Sequence, residues 1–253
     1  MEPVSTMLSY WGKARNSDAA GPPYHPLDLF WLIAYRIYDP DGEGKSKRDH
    51  VREILTNVVY HKQLPFQAVL MDTWYATKDL MVFIASLQKS SDYPLQDNRQ
   101  VDDARGKQPY QRVDSLSWTA DALAHGKRIK IKGFPKEHNV QLFRVVVSTH
   151  RTDSVVTNDL AQESTEATQE ACGFRWKIEQ LHRAGKQVTG VERCQCRKAR
   201  IQRNHIGGAF LVWVRLKALA AQTGRTVYQL KHGLLADYLM QQLRNPSLRM
   251  VLA

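Results

Sequence analysis

The chain has 253 residues, of which 43% are hydrophobic, and its formal net charge at pH 7 is +11. This length and composition support one or two folded domains and exclude wholesale disorder. The positive charge favours a polyanionic partner, with nucleic acid as the first candidate and an acidic membrane surface as the second.

The first part of the chain is predicted to form a loose tail over residues 1–27, followed by alternating strands and helices. The tail has no apolar core of the kind found in signal peptides. LFWLIAYRIY at 29–38 indicates a strand, because β-branched and aromatic residues dominate it. Asp49 is expected to cap a helix over residues 50–64, whose apolar positions follow helical spacing.

Two further segments continue this alternation. FQAVLMD at 66–72 indicates a short strand that is buried on both faces of a parallel or mixed sheet. KDLMVFIASLQK at 78–89 indicates a second amphipathic helix. The order strand, helix, strand, helix predicts an α/β architecture in which helices cover a sheet.

The character of the sequence changes after residue 96. Residues 97–158 are rich in β-forming segments and indicate a small β-region with turns and no helix. After Asp159 the apolar spacing predicts helices over 164–188, 206–222 and 226–244. The longest apolar run lies at 206–214 and is too short to cross a membrane, so we expect a cytoplasmic protein without a membrane partner.

Two carboxylates stand out by their positions. Asp72 directly follows the apolar run Val69–Met71, so the end of a strand is expected to hold it rigidly. Glu179 lies on a predicted helix and shares one helical face with Arg175, His182 and Lys186.

This helical face has two interpretations. It is either a solvated surface with ion pairs between residues four apart, or one wall of an active site. In the second case Asp72 and Glu179 would hold divalent metal beside a phosphodiester, because Mg²⁺ takes oxygen ligands. Arg175, His182 and Lys186 would then contact phosphate oxygens.

Basic residues are dense from residue 181 to residue 231, where Glu192 is the only acidic residue. The densest part is CRKARIQRNH at 196–205, with Arg197, Lys198, Arg200 and Arg203. This segment is either a solvated basic face or a track that binds the phosphate backbone of double-stranded DNA.

These residues resemble a known family. VLMDTWYA at 69–76, followed by a β-rich insertion and GFRWKIEQLHRAGKQ at 173–187, is similar to the DDE transposases of bacterial insertion sequences that carry the YREK signature. In that signature Tyr is followed after two residues by Arg, after three more by Glu and after six more by Lys. Arg175, Glu179 and Lys186 keep this spacing, and Cys172 stands at the position of the tyrosine.

The resemblance runs from about residue 28 to the C-terminus. It implies a partial ribonuclease-H-like mixed sheet with helices, interrupted by a β-rich insertion. The first part of the catalytic core would then be 28–96, the insertion 97–158, and the helical remainder with the C-terminal helices 159–253.

The resemblance also implies an activity. Asp72 matches the second catalytic carboxylate of the family and Glu179 the third, and both would bind Mg²⁺ or Mn²⁺. The enzyme would cut DNA at the ends of the element and join them to target DNA. This implies a protein associated with the nucleoid, and a homodimer in the DNA complex is compatible with it.

The first catalytic Asp of the family has no counterpart at the expected place. We therefore expect a transposase that lacks an N-terminal part with two core strands and that is inactive. Two alternatives remain open. One is a non-catalytic DNA-binding protein that occupies element ends or inhibits transposition, and the other is an unrelated metal-dependent nuclease that uses Asp72 and Glu179.

Overall fold

The computed structural model describes residues 5–11, 30–38, 44–149 and 151–244. The chain divides into two compact units. Of the described residues, 5–11, 30–38, 44–149 and 151–177 belong to the first unit, and 178–244 belong to the second.

A two-stranded antiparallel sheet belongs to the first unit. Strand β1 (Ser5–Trp11) pairs with strand β2 (Phe30–Ile37). Strand β2 confirms the strand predicted over 29–38. The predicted loose tail does not hold for Ser5–Trp11, because β2 supplies the backbone hydrogen-bond partners that a local sequence pattern does not reveal.

Helix α1 (Lys47–Thr56) confirms the first predicted helix and continues as a π-helical turn, Asn57–His61. Its N-cap is Ser46, and the prediction of Asp49 as the cap is wrong. The Asp49 N–H donates to Ser46 Oγ at 3.3 Å, and the Ser46 N–H donates to Asp49 Oδ2 at 2.8 Å. Asp49 therefore closes a capping box from the third helical position.

The larger sheet of the first unit has seven strands in the order β3-β4-β9-β8-β7-β5-β6. Strands β3 and β4 are parallel, and the other neighbouring pairs are antiparallel. The strands are β3 (Ala68–Leu70), β4 (Ser90–Leu95), β5 (Gln100–Asp102), β6 (Gln111–Arg112), β7 (Lys127–Ile131), β8 (Asn139–Ser148) and β9 (Arg151–Thr157). This mixed α/β architecture is consistent with a partial ribonuclease-H-like fold.

Two details of this region differ from the prediction. The strand predicted at 66–72 is present as β3, but only Val69 is fully buried and Ala68 is exposed, so burial on both faces is wrong. The region predicted to lack helices contains the short helix α3 (Ala120–His125), which Thr119 caps by accepting the N–H of Ala122 at 3.2 Å.

The two faces of the seven-stranded sheet have different partners. Side chains alternate along each strand, and one face places Val69, Tyr93, Leu142 and Val156 in the main hydrophobic core. That core also includes Leu80 and other residues of α1 and of α2 (Lys78–Ser86), the second predicted helix.

The opposite face is contacted by helix α4 (Thr165–Ala184) through its part in the first unit. On this face Phe143, Val145 and Val155 are almost completely buried, and Cys172 of α4 packs against them. We call it the α4 face. Asp153 lies on the same face, because it pairs with Val145. Asp92 does so as well, because it pairs with Thr157, which is two residues from Val155 on the same strand.

The described part of the second unit is helical. Helix α4 ends in a π-helical turn, Gly185–Thr189, and helices α5 (Ala199–Thr223) and α6 (Val227–Arg244) follow. The prediction for α6 is confirmed, whereas α5 begins seven residues before the predicted start at 206. None of the described helices has the length and apolar character needed to cross a membrane.

Gly126 is required where α3 meets β7. Its φ is +74°, and an added Cβ would lie 2.6 Å from Cε1 of buried Phe143 and 2.9 Å from the backbone oxygen of Leu142. Gly133 has a φ of +84° with nothing within 4 Å of an added Cβ.

We expect Gly126→Ala to lower the free energy of unfolding by more than about 2 kcal/mol, since it adds overpacking to backbone strain. Gly133→Ala should cost only the strain, about 1 kcal/mol. Urea unfolding of both variants measures the difference. If both variants lost the same free energy of unfolding, the contact with Phe143 would contribute nothing to the cost of Gly126→Ala.

Candidate active site

Asp72 is fixed just beyond the C-terminal end of β3. It caps a short 3-10 helix, Thr73–Tyr75, and Asp72 Oδ1 accepts the N–H of Thr73 at 2.7 Å. The side chain is 60% exposed. The sequence prediction of a strand-end carboxylate is therefore confirmed, and the carboxylate is open to a ligand from solvent.

Arg175 reaches Asp72 from helix α4. Its Nη1 donates to Asp72 Oδ1 at 3.3 Å, and its Nη2 lies 4.0 Å from Asp153 Oδ2. Asp153 is only 12% exposed and also accepts from Arg151, with Nε–Oδ1 at 2.7 Å and Nη2–Oδ2 at 3.1 Å. Four side chains of alternating charge, Arg151, Asp153, Arg175 and Asp72, thus form what we call the Asp72 charge cluster.

Sequence reasoning missed Arg151 and Asp153. Both lie on β9, and the pairing of β3 with β4 and of β4 with β9 brings them to Asp72. Asp153, followed by Asp72 as a weaker cause, raises the pKa of Arg151 above its ordinary value. The segment RTD at 151–153 carries no motif that could have revealed this role.

Two partly buried groups, Asp92 and Cys172, lie on the α4 face. Burial raises the pKa of Asp92, while a hydrogen bond with the Thr157 hydroxyl lowers it and the charge of Asp159 raises it. Burial also raises the pKa of Cys172 to about 11, with Asp92 as the next cause. Cys172 is therefore a neutral thiol at pH 7, and it acts in packing at the position where the resembling family carries tyrosine.

The remaining residues of the predicted helical face lie in the second unit. Glu179 is exposed, and Lys186 forms an ion pair with Glu192 at 2.6 Å. Lys186 lies in the π-helical turn rather than in the α-helix. The α-helical spacing that was used to place it on one face with Glu179 therefore does not extend to Lys186. Burial lowers the pKa of His182, although Glu179 opposes this shift, so His182 is predominantly neutral at pH 7.

The basic segment at 196–205 leads into helix α5. Lys198 is the N-cap, and the first turn contains no acidic residue. The four basic residues assigned to phosphate binding are exposed; they are Arg197, Lys198, Arg200 and Arg203.

The described residues contain no group of three or more His, Cys, Asp or Glu side chains that could hold a metal ion. Asp72 and Arg175 belong to the first unit, whereas Glu179, His182 and Lys186 belong to the second. The pairing of Asp72 with Glu179 therefore stays a prediction.

A mixed sheet with an exposed carboxylate at a strand end, paired with an arginine from a later helix, fits the class of DNA-processing enzymes that the motifs suggested. A family model described as Transposase DDE domain matches residues 42–215. This chain belongs to that family, since the match spans more than half of its length and includes Asp72, Arg175 and Glu179. No curated protein matches the sequence significantly.

Membership of the family supports a role in DNA transposition, with DNA as the substrate. Enzymes of this family typically depend on a divalent metal, for which carboxylate oxygens are suitable ligands.

The partly buried carboxylate of Asp92 gives a prediction about stability and pH. Its pKa is raised above the ordinary 3.8, so between the two values the native state holds more protons than the unfolded chain. The contribution of Asp92 to stability is present below pH 3.8 and is lost as the pH rises through the native pKa.

We therefore expect Asp92→Asn to raise the free energy of unfolding at pH 7, and to lose this advantage near pH 4. Urea unfolding at the two pH values tests this. Asp114→Asn is the control, and it should lower the free energy of unfolding at pH 7. The reason is that a hydrogen bond from Arg112 stabilises the charged form of exposed Asp114 and lowers its pKa. A less stable Asp92→Asn variant at pH 7 would mean that the bonds of the carboxylate outweigh its burial.

Proposed function

We propose that this chain is a DDE transposase of an insertion sequence, of the branch with the YREK signature. It cuts DNA at the ends of the element and joins them to target DNA. The observation that carries the proposal is the 3.3 Å contact between Asp72 and Arg175, residues that the motif comparison selected independently from two separate blocks of sequence.

The environment of Asp72 suits a divalent cation. Its carboxylate is exposed, its oxygens are hard ligands of the kind that Mg²⁺ prefers, and a guanidinium already lies 3.3 Å from Oδ1. A metal ion would therefore have to displace this guanidinium from the carboxylate.

Glu179 is the second proposed ligand. It follows Arg175 by one helical turn on α4, and residues four apart lie on the same face of a helix. Bound Mg²⁺ or Mn²⁺ would supply Lewis acidity for the attacking and the leaving oxygen.

The other motif residues have distinct proposed roles. Arg175, which is 30% exposed, can exchange Asp72 for a phosphate oxygen of the bound DNA and so hold the backbone beside the carboxylates. Lys186 would exchange Glu192 for phosphate in the same way. Neutral His182 would act as a hydrogen-bond donor or acceptor rather than as a permanent cation.

The N-terminal end of α5 is the proposed track for duplex DNA. A helix N-terminus carries partial positive charge, and Lys198 and Arg200 add full charges where no acidic residue offsets them. Arg197 and Arg203 extend this exposed basic surface. Backbone phosphates would relieve the repulsion between these groups. We place the protein in the cytoplasm with the nucleoid, and a second copy of the chain in the DNA complex.

Neutralising part of this track gives a direct test of DNA binding. The variant Arg197→Gln, Lys198→Gln, Arg200→Gln should reduce the slope of log K against log salt by about 2.7 for duplex DNA, because each phosphate contact contributes about 0.9. Filter binding over a range of salt concentrations measures the slope.

The matched control removes the same charge from exposed residues elsewhere, with Arg48→Gln, Lys78→Gln and Lys136→Gln. The slope of this control should change much less. Equal slopes for the track variant and the wild type would mean that these residues are a solvated surface that does not contact DNA.

We also propose that the isolated 253-residue chain does not cleave DNA. Two metal ions about 4 Å apart need carboxylates that offset their mutual repulsion, and the motif comparison assigns only Asp72 and Glu179. Mg²⁺ also gives up its bound water reluctantly, so at least one of the two metal sites should be weak.

The assay uses purified chain, Mg²⁺ or Mn²⁺, and DNA with intact element ends, and no cleavage is expected. Metal binding is measured separately by the EPR signal of free Mn²⁺, which should rise in Asp72→Ala because a ligand is lost. Cleavage that disappears in Asp72→Ala and Glu179→Ala would contradict the expectation and would mean that another carboxylate completes the site.

A second candidate function is inhibition of transposition by a DNA-binding but inactive chain. The ion pair of Asp72 with Arg175 favours it, because the guanidinium competes with a metal ion for the carboxylate. Adding this chain to an active transposase from the same element distinguishes the two. Dose-dependent loss of end cleavage supports inhibition, and unchanged cleavage argues against it.

A further inference from the structure

A cleft in the β-rich part of the first unit is separate from the Asp72 charge cluster. Its volume is about 600 Å³, and its lining includes Arg105, Tyr110, Arg128 and Lys130. In the sheet order β7 lies two inter-strand steps from β9, which carries Arg151 and Asp153, and four steps from β3, which precedes Asp72. These steps correspond to about 10 Å and about 19 Å at the usual strand spacing. We propose that this cleft binds phosphodiester groups of the DNA backbone.

One wall of the cleft is a tightly held turn after β5. Asp102 is buried, and its carboxylate accepts the backbone N–H groups of Ala104 at 2.8 Å and of Gly106 at 2.7 Å. Arg105 between them has a φ of +56°, a conformation that costs a non-glycine residue about 1 kcal/mol or more. The carboxylate thus stabilises a backbone that places an arginine at the cleft.

The other wall is strand β7. Arg128 and Lys130 are two residues apart and therefore project from the same face of the sheet. Ile129 and Ile131 project from the opposite face and are 1% exposed. The strand therefore directs two cations to the cleft and buries its apolar side chains in the core.

The cations of the cleft outnumber the carboxylates that line it. Arg105, Arg128 and Lys130 form no ion pair or side-chain hydrogen bond with the described residues. Asp102 is occupied by backbone N–H groups, and the neighbouring Asp103 is paired with Lys127 at 2.8 Å. Three cations and the single carboxylate of Asp102 therefore line one concave surface, which leaves it with a net positive charge.

This chemistry selects an anion with several oxygen acceptors. Guanidinium groups match phosphate oxygens with parallel hydrogen bonds, and lysine adds a point charge. The phenol of Tyr110 can also donate a hydrogen bond to a phosphate oxygen or contact a sugar. The choice of DNA as the ligand rests on the proposed function. Free phosphate or a mononucleotide has the same chemistry, and the tests below distinguish these ligands from DNA.

The first test uses the wild-type chain and does not depend on refolding of a variant. Lysine acetylation is followed by mass spectrometry in EDTA, with and without a duplex of about 30 base pairs, which exceeds the footprint of a single module. DNA should slow the acetylation of Lys130 on the order of fivefold or more, as contact with the phosphate backbone excludes the reagent. Exposed Lys136, in the turn after β7, should react at nearly the same rate in both samples.

The second test measures affinity. Arg128→Gln with Lys130→Gln should reduce the slope of log K against log salt by about 1.8, since two phosphate contacts are lost. The control pair Arg48→Gln with Lys136→Gln removes the same charge and should change the slope much less. Thermal unfolding of both pairs checks that the fold is retained.

Three outcomes would overturn the proposal. These are equal acetylation of Lys130 with and without DNA, an unchanged slope in the Arg128 and Lys130 variant, and protection of Lys130 by millimolar phosphate or mononucleotide that equals the protection by DNA. All measurements are made without metal, so they are independent of whether Asp72 and Glu179 support cleavage.

Discussion

The packing of α4 against one face of the seven-stranded sheet determines the geometry at Asp72. Phe143, Val145 and Val155 are almost completely buried, and Cys172 rests on them. Three residues further along the helix, Arg175 meets Asp72, although 103 positions separate the two in sequence. An ion pair between exposed groups contributes at most about 1 kcal/mol. The apolar contact therefore fixes the helix, and the ion pair depends on where the helix lies.

The sequence revealed those parts of the structure that depend on local patterns. Strand β2 and helices α2 and α6 follow from β-branched runs and helical spacing, and Asp72 follows from an apolar run that ends in a carboxylate. Strand β4 was not predicted, because SSDYPL contains polar residues and a proline and forms a strand only through its neighbours β3 and β9. Helix α3 has only six residues, which is too short for a periodic signal.

The candidate site was predictable only where a motif contributes to it. Asp72, Arg175 and Glu179 were selected from two motif blocks, but Arg151 and Asp153 come to Asp72 through strand register, which no motif encodes. The cleft beside β7 has the same origin, since a turn after β5 and alternate residues of β7 form it. The half-burial of His182 likewise depends on packing, so its neutral state could not be read from the helical face.

The cations of this protein fall into two groups that the total charge of +11 does not distinguish. Arg151, Lys127 and Lys186 have carboxylate partners at 2.6–2.8 Å, and those charges are largely neutralised within the fold. Arg105, Arg128 and Lys130, and likewise Arg197, Lys198 and Arg200, have no ion pair among the described residues. An external polyanion gains most from the second group, because no internal pair must be broken first.

Cys172 also determines how much room remains on the α4 face. The resembling signature has a tyrosine at this position, whereas this chain places a small thiol against the large ring of Phe143. A tyrosine at position 172 would bring a second ring against Phe143, and it would have to displace its neighbours or turn toward solvent.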